Sequence, residues 1–241
     1  MNHTALSPAA LRRTWLALGA AVFAIICLLF LALPGQAQDP QLPPAPPNSL
    51  SGLETFEGRC ANCHGVAGQG DGELVAQLPA PPRPFDATYI RTALPSAMYN
   101  QITNGNLNVG MPPFGPASQN PIDEQGRWDL VTAVYILATE PKSVEEGERI
   151  YQQNCAACHG VNGQGDGPES TAAEPATDLT ALDYWFNRSN ETVLTALAPG
   201  AVAAHDYTLS EAELVSVVDF SRTFSYSYVD PAVLFAPIPA G

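Results

Sequence analysis

The sequence predicts a mostly α-helical protein: two tandem copies of one small domain behind an N-terminal transmembrane helix. Three observations predict it. The stretch "CANCHGVAGQGDG" at 60–72 returns as "CAACHGVNGQGDG" at 155–167, differing only at Asn62/Ala157 and Ala67/Asn162. Apolar residues recur at roughly helical spacing after each stretch, at Trp128, Val131 and Tyr135 and at Leu214, Val217, Val218 and Phe224. A long uncharged segment opens the chain. Gly105 and Gly200 keep the same 95-residue offset. Two copies at that period mean a duplicated domain, since a solenoid needs at least three.

The opening segment is "TWLALGAAVFAIICLLFLAL", Thr14 to Leu33, with 19 uncharged residues from Trp15 to Leu33. That is near the length that crosses a bilayer. Arg12 and Arg13 precede it and no acidic residue occurs before Asp39. The short N-terminus is therefore expected in the cytoplasm and the remainder outside. A cleaved signal peptide ending near Gly35-Gln36-Ala37 is the competing reading. The apolar length exceeds the usual signal core of roughly 7 to 15 residues and favours an uncleaved anchor over residues 1–35. Cys27, in mid-segment, reads as a small buried thiol.

Residues 36–50 come next as a Pro-rich linker, with five prolines between Pro40 and Pro47. Such a run is extended and semi-rigid, and holds the downstream chain away from the membrane. The two repeated domains are then expected at 51–140 and 141–241. The balance of 10 Lys plus Arg against 24 Asp plus Glu, −14 in all, argues against nucleic acid as a partner. It suits a basic protein partner or simple solubility.

Only five cysteines occur, and four form the two Cys-x-x-Cys-His motifs: Cys60, Cys63, His64 and Cys155, Cys158, His159. This is the attachment pattern for c-type haem. Thiols three positions apart share one side of a helical turn and can form thioethers with the two porphyrin vinyl groups. The next histidine turns its ring toward the iron. A structural zinc site could take the four cysteines, but it would leave both histidines and both glycine-rich tails unexplained. A thioredoxin-like redox pair lacks βαβ surroundings. "GQGDG" has no Gly-Lys-Ser/Thr and is not a phosphate loop.

With this frame the chain resembles tandem diheme cytochromes c built from class I domains, over about residues 50 to 230. In that family a first helix ends at the motif and packs a glycine and an aromatic against the last helix. Gly52 and Phe56 stand before the first motif, and Gly147 and Tyr151 before the second. The last helices are expected at 124–139 and 210–224. Ser143 with Glu146, and Ser210 with Glu213, have the capping-box spacing. Each unit is small for a self-sufficient core, so haem is expected to act as its staple and the apoprotein to be largely unfolded.

The resemblance implies two haem c groups, with His64 and His159 as proximal iron ligands. It implies Met111, in "NVGMPPFG", as the distal ligand of the first. Met98, whose counterpart at the 95-residue offset is Val193, reads as core. The second copy has no methionine. There His205, five residues after Gly200, is the candidate distal ligand and makes a His/His pair. A proline carbonyl is expected to accept the proximal imidazole N–H, from Pro81 or Pro82 for His64 and Pro175 for His159.

The function implied is electron transfer between redox proteins of a respiratory or photosynthetic chain, not enzymatic catalysis. The alternative is a peroxidase-like or other haem oxidoreductase using an open second haem. The expected location is the bacterial cytoplasmic membrane, single-pass, with both haem domains on the periplasmic side. A multi-subunit membrane complex is a further candidate partner.

Overall fold

The computed structural model describes residues 42–198, 200–202 and 205–229. The candidate anchor, Cys27 and residues 36–41 of the Pro-rich linker lie outside the described residues. Among the described residues, no helix is long and apolar enough to cross a membrane. The first copy has α1 Ser49–Arg59, α2 Ala61–His64, α3 Ala87–Thr92, α4 Pro95–Asn104 and α5 Glu124–Ala138. The second has α6 Pro141–Asn154, α7 Ala156–His159, α8 Leu182–Phe186, α9 Asn190–Ala196 and α10 Glu211–Arg222. Mostly helical structure is thus found, with only isolated bridges, Asn48 to Ser227 and Asn106 to Met111, among the described residues.

In each copy the first helix crosses the last at a glycine. A Cβ on Gly52 would collide with the Asp129 carbonyl of α5, and one on Gly147 with the Ser216 carbonyl of α10. The glycine lets two helix backbones touch, which fixes how each motif is presented. One turn later, Phe56 is 3% exposed and Tyr151 is fully buried. Tyr151 packs on Phe220 and Phe224 and donates its hydroxyl to the Gly160 carbonyl at 2.7 Å, just past the second motif.

Helix ends follow their side-chain chemistry. Asn48 caps α1 by accepting from the Ser51 N–H at 3.1 Å, and Asp123 caps α5 by accepting from Gly126 at 2.7 Å. Ser210 and Glu213 form the expected capping box on α10. Ser143 and Glu146 do not form one. Helix α6 starts earlier, at Pro141, because proline suits a first helical position whose N–H needs no partner. Inside the helix, Ser143 donates to Asp219 at 2.7 Å and Glu146 pairs with Arg149.

Helix α5 is buried on nearly every side, including Trp128, Leu130, Val131, Ala133, Val134, Tyr135 and Ile136. One side, with Leu130, Ala133 and Ile136, packs with Leu53 and Phe56. The other, with Trp128, Val131, Val134 and Tyr135, joins a cluster containing Trp185, Phe186 and Val218 of the second copy. A helix apolar all round belongs in an interior, and here that interior is shared. Trp128 stacks on Tyr99 at 4.3 Å and meets the Phe186 edge at 5.3 Å. The buried Arg222 guanidinium lies over Tyr135 at 4.4 Å and Trp185 at 4.7 Å. Its Nε donates to Asn190 at 2.9 Å, so the buried charge is hydrogen-bonded.

The second copy also reaches back to the first. Tyr226 sits in the first copy's cluster with Leu53 and Phe56. Ser227 N–H donates to the Pro47 carbonyl at 3.1 Å, and Ser49 donates its hydroxyl to the Ser227 carbonyl. Among the described residues, the two repeats therefore share one compact unit.

Candidate haem sites

The two motifs have almost the same backbone. Cys60 and Cys155 close the preceding helix at φ −122° and −119°, each with ψ −34°. His64 N–H returns to Cys60 O at 2.9 Å, as His159 does to Cys155 O at 2.9 Å. Gly65 and Gly160 come next at φ +79°, and a Cβ on either would strike Asp71 or Asp166. The glycine-rich loop then folds under the motif: Gly70 N–H donates to His64 O at 2.7 Å and Gly165 to His159 O at 2.8 Å. Burial pushes the Cys60 thiol up to about 12 and Cys155 up to about 11. None of the four motif cysteines is in a disulfide, and among the described residues no group of three or more His, Cys, Asp or Glu is arranged to hold a metal ion. The zinc alternative needs such a cluster.

In the first copy, Cys60, Cys63, His64 and Met111 line one cavity of about 430 Å3. Its walls are largely apolar, with Leu78, Phe85, Ile102 and Val134 among them, which suits a cofactor pocket. Met98 is 4% exposed, as a core residue is, and also lines the cavity. The His64 ring stacks on Phe85 at 5.1 Å, and burial holds its pKa below the ordinary value, favouring the neutral, ligating form. Its Nδ1 is buried with no hydrogen-bond partner, so neither Pro81 nor Pro82 supplies the expected carbonyl bond.

Met111 is held by its own loop. Asn106 N–H donates to Met111 O at 2.8 Å and Met111 N–H to Asn106 O at 3.0 Å. Gly105, at φ +64°, lets that loop close against the α4 end.

In the second copy, His159 Nδ1 lies 2.9 Å from the Thr177 carbonyl, not that of Pro175. Thr177 lies two residues past Pro175, which is itself the counterpart of Pro81 in this part of the chain. Phe85 N–H bonds Gly68 O, and the equivalent bond runs from Leu179 to Gly163 O. The offset there is 94, which makes Thr177 the counterpart of Arg83. The rings of His159 and His205 are 6.4 Å apart. A metal–imidazole bond is about 2 Å and the ring nitrogen lies about 1 Å from the ring centre, so two imidazoles on one iron have centres roughly 6 Å apart. The observed spacing fits that group. Tyr207 flanks His205 at 5.7 Å and is anchored by its hydroxyl on Leu197 O at 2.8 Å. Burial lowers the His205 pKa, against a smaller upward pull from the nearby Ala196 carbonyl; its Nδ1 makes no hydrogen bond of normal geometry.

Sequence reasoning missed the two cations of the first cavity, Arg59 and Arg83. Arg59 lies over Phe114 at 5.6 Å and Arg83 over Tyr89 at 5.0 Å. The matching positions of the second copy are Asn154 and Thr177. Comparing the copies position by position is the signal that finds them.

Residues 47–132 match the family "Cytochrome C oxidase, cbb3-type, subunit III", and residues 144–224 match "Cytochrome c". The chain belongs to the diheme c-type cytochromes. Its cofactor is haem c, an iron porphyrin bound covalently to the protein. This cytochrome is similar to the cbb3-type cytochrome c oxidase subunit CcoP of Azospirillum brasilense, 31% identical over 129 residues, 47% of this chain and 40% of that protein. The subunit FixP of Rhizobium meliloti is 26% identical over 129 residues, 48% of this chain and 40% of its own. CcoP of an Azospirillum species is 25% identical over 162 residues, 62% and 52%. The matches thus span about two fifths to one half of these relatives' length. Among solved structures, the Kuenenia stuttgartiensis reducing HAO-like protein complex Kustc0457/Kustc0458 aligns at 21% identity and a TM-score of 0.33. That alignment covers 76% of this chain and 99% of that one, and the likeness is too slight to carry weight.

Proposed function

We propose that this cytochrome carries electrons between redox proteins, through two sites of unequal potential. The haem irons supply one-electron chemistry between ferric and ferrous states. Cys60 with Cys63, and Cys155 with Cys158, are the attachment residues. His64 and Met111 would hold the iron of the first site, and His159 and His205 that of the second. The observation that carries the reading is the 6.4 Å spacing of the two second-copy imidazoles. A site held from both sides transfers an electron with little rearrangement and leaves no open position for a substrate. This favours a carrier over the haem oxidoreductase alternative.

The inequality has two sources. Thioether is a softer, weaker donor than imidazole, so Met111 favours ferrous iron more than His205 does. Arg59 and Arg83 add positive charge around the first site, where their counterparts Asn154 and Thr177 carry none, and this favours the state with one more electron. Electrons are therefore passed from the His159/His205 site to the His64/Met111 site. The relatives' descriptions as oxidase subunits support a multi-subunit respiratory complex as the setting. The uncharged segment with Arg12 and Arg13 before it supports a single-pass anchor, with the haem domains at 51–140 and 141–241 outside the cytoplasmic membrane.

A combined optical and spin-resonance redox titration of the purified full chain tests this. Two covalent haems, both low-spin, with the bis-histidine species at the lower midpoint, are expected. High-spin ferric iron at the second site, or the reverse order of midpoints, would overturn the carrier assignment.

A further inference from the structure

Gln101 and Met111 both line the first cavity, and the Gln101 Nε2 donates to the Met111 sulfur at 3.3 Å. A thioether is a weak acceptor, and neutral amides have many better partners. The pairing is held by backbone on both sides. Gln101 sits in the last turn of α4, where its carbonyl accepts from Gly105 N–H at 2.8 Å. Met111 is tied by its two backbone bonds to Asn106.

The second copy lacks this arrangement. The position 95 residues beyond Gln101 is Ala196, the last residue of α9. Alanine has no donor to offer. The same helical position thus carries a side-chain donor toward the distal residue in one copy and none in the other.

We propose that Gln101 is a positioning residue for the first haem, orienting the Met111 thioether and raising the potential of that site. The inference rests on Met111 being the distal ligand. Sulfur has two lone pairs, and an amide N–H on one of them leaves the other aimed at the metal. The same hydrogen bond withdraws electron density from the sulfur. A poorer donor stabilises ferric iron less, and hydrogen bonding around axial ligands is a recognised lever on haem potential. The difference between the two sites is therefore set by this helical turn as well as by ligand identity.

The test uses the full-length holoprotein and two variants. Gln101→Leu removes the donor without adding charge; Gln101→Glu keeps the shape and, when ionised, can only accept. Each is expected to lower the first midpoint and leave the second unchanged, with at least a tenfold shift in the redox equilibrium, 59 mV for one electron. Added imidazole should displace the distal ligand at the first iron at a lower concentration in both variants. If Gln101→Leu loads no haem, Gln101→Glu carries the same expectation, with the first midpoint recovering as acid protonates the new carboxyl. An unchanged first midpoint with unchanged imidazole competition overturns the role of Gln101. The near-infrared charge-transfer band of thioether-bound ferric haem separates the two ideas. Its absence from the unsubstituted protein overturns the Met111 assignment, and this inference with it.

Discussion

The ring of His205 faces that of His159 across 6.4 Å, in a loop with none of the prolines that come after Met111. His205→Met exchanges the harder donor for the softer one at the second site. The second midpoint should rise toward the first, and the first should stay, which a redox titration of the variant reads directly. Asp219 is a different kind of residue, a structural carboxyl 9% exposed, beside Ser143 and near Arg222. Burial raises its pKa to about 6 from an ordinary 3.8. The folded state then binds more protons than the unfolded state between these values, so stability falls as pH rises from about 4 to 6, by on the order of 3 kcal/mol. Asp219→Asn should flatten that part of the melting-temperature profile relative to the unsubstituted protein and raise the melting temperature near pH 7.5. Residues of the repeated motif were readable because their spacing is the chemistry. Gln101 was not, since a glutamine on a polar helix turn has no signature until the sulfur it faces is seen. Thr177 was missed because the acceptor is a backbone carbonyl, which any residue type supplies and no side chain marks.

Helix crossings depend on what stands at one position. At Gly52 and Gly147 the obstruction is backbone, which cannot swing aside. Gly52→Ala or Gly147→Ala should cost at least the ~1–3 kcal/mol typical of overpacking, read from the denaturation midpoint. Gly58 has open space around its Cβ position on the same helix as Gly52, so Gly58→Ala should stabilise by about 0.5–1 kcal/mol. The helices before each motif and the pair near 124–139 and 210–224 were legible from glycine, aromatic and apolar spacing. Their ends were less so. Pro141 starts α6 two residues ahead of Ser143, and the end of the last stretch tightens into a 3₁₀ turn, Thr223–Ser225. Helix α5 also buries two opposite sides. Its second partner is the other copy, about which local spacing is silent.

For the molecule as a whole, the joint between copies is apolar rather than ionic. Arg91 pairs with Glu191 and, at 2.8 Å, with Glu211, but these side chains are 41–71% exposed. Exposed pairs contribute roughly 0–1 kcal/mol. Fully burying one large apolar side chain contributes about 1.5–3 kcal/mol, and Trp128, Val131 and Trp185 are all 0% exposed. Arg91→Ala should therefore barely move the melting temperature. Residues 42–140 expressed alone, with haem, should melt lower than the full chain and self-associate on a sizing column, because the outer side of α5 is uncovered. A monomeric fragment with an unchanged melting temperature would speak against a shared core.

Tyr226 completes the hydrophobic cluster around Phe56, although some 170 positions of chain separate the two. Synthesis from the N-terminus releases Phe56 long before Tyr226 becomes available. The cluster of the leading repeat is thus completed only after the trailing repeat is made, in contrast to domains that fold as soon as they emerge. Cys60, which packs against that cluster, gains its full cover last of all.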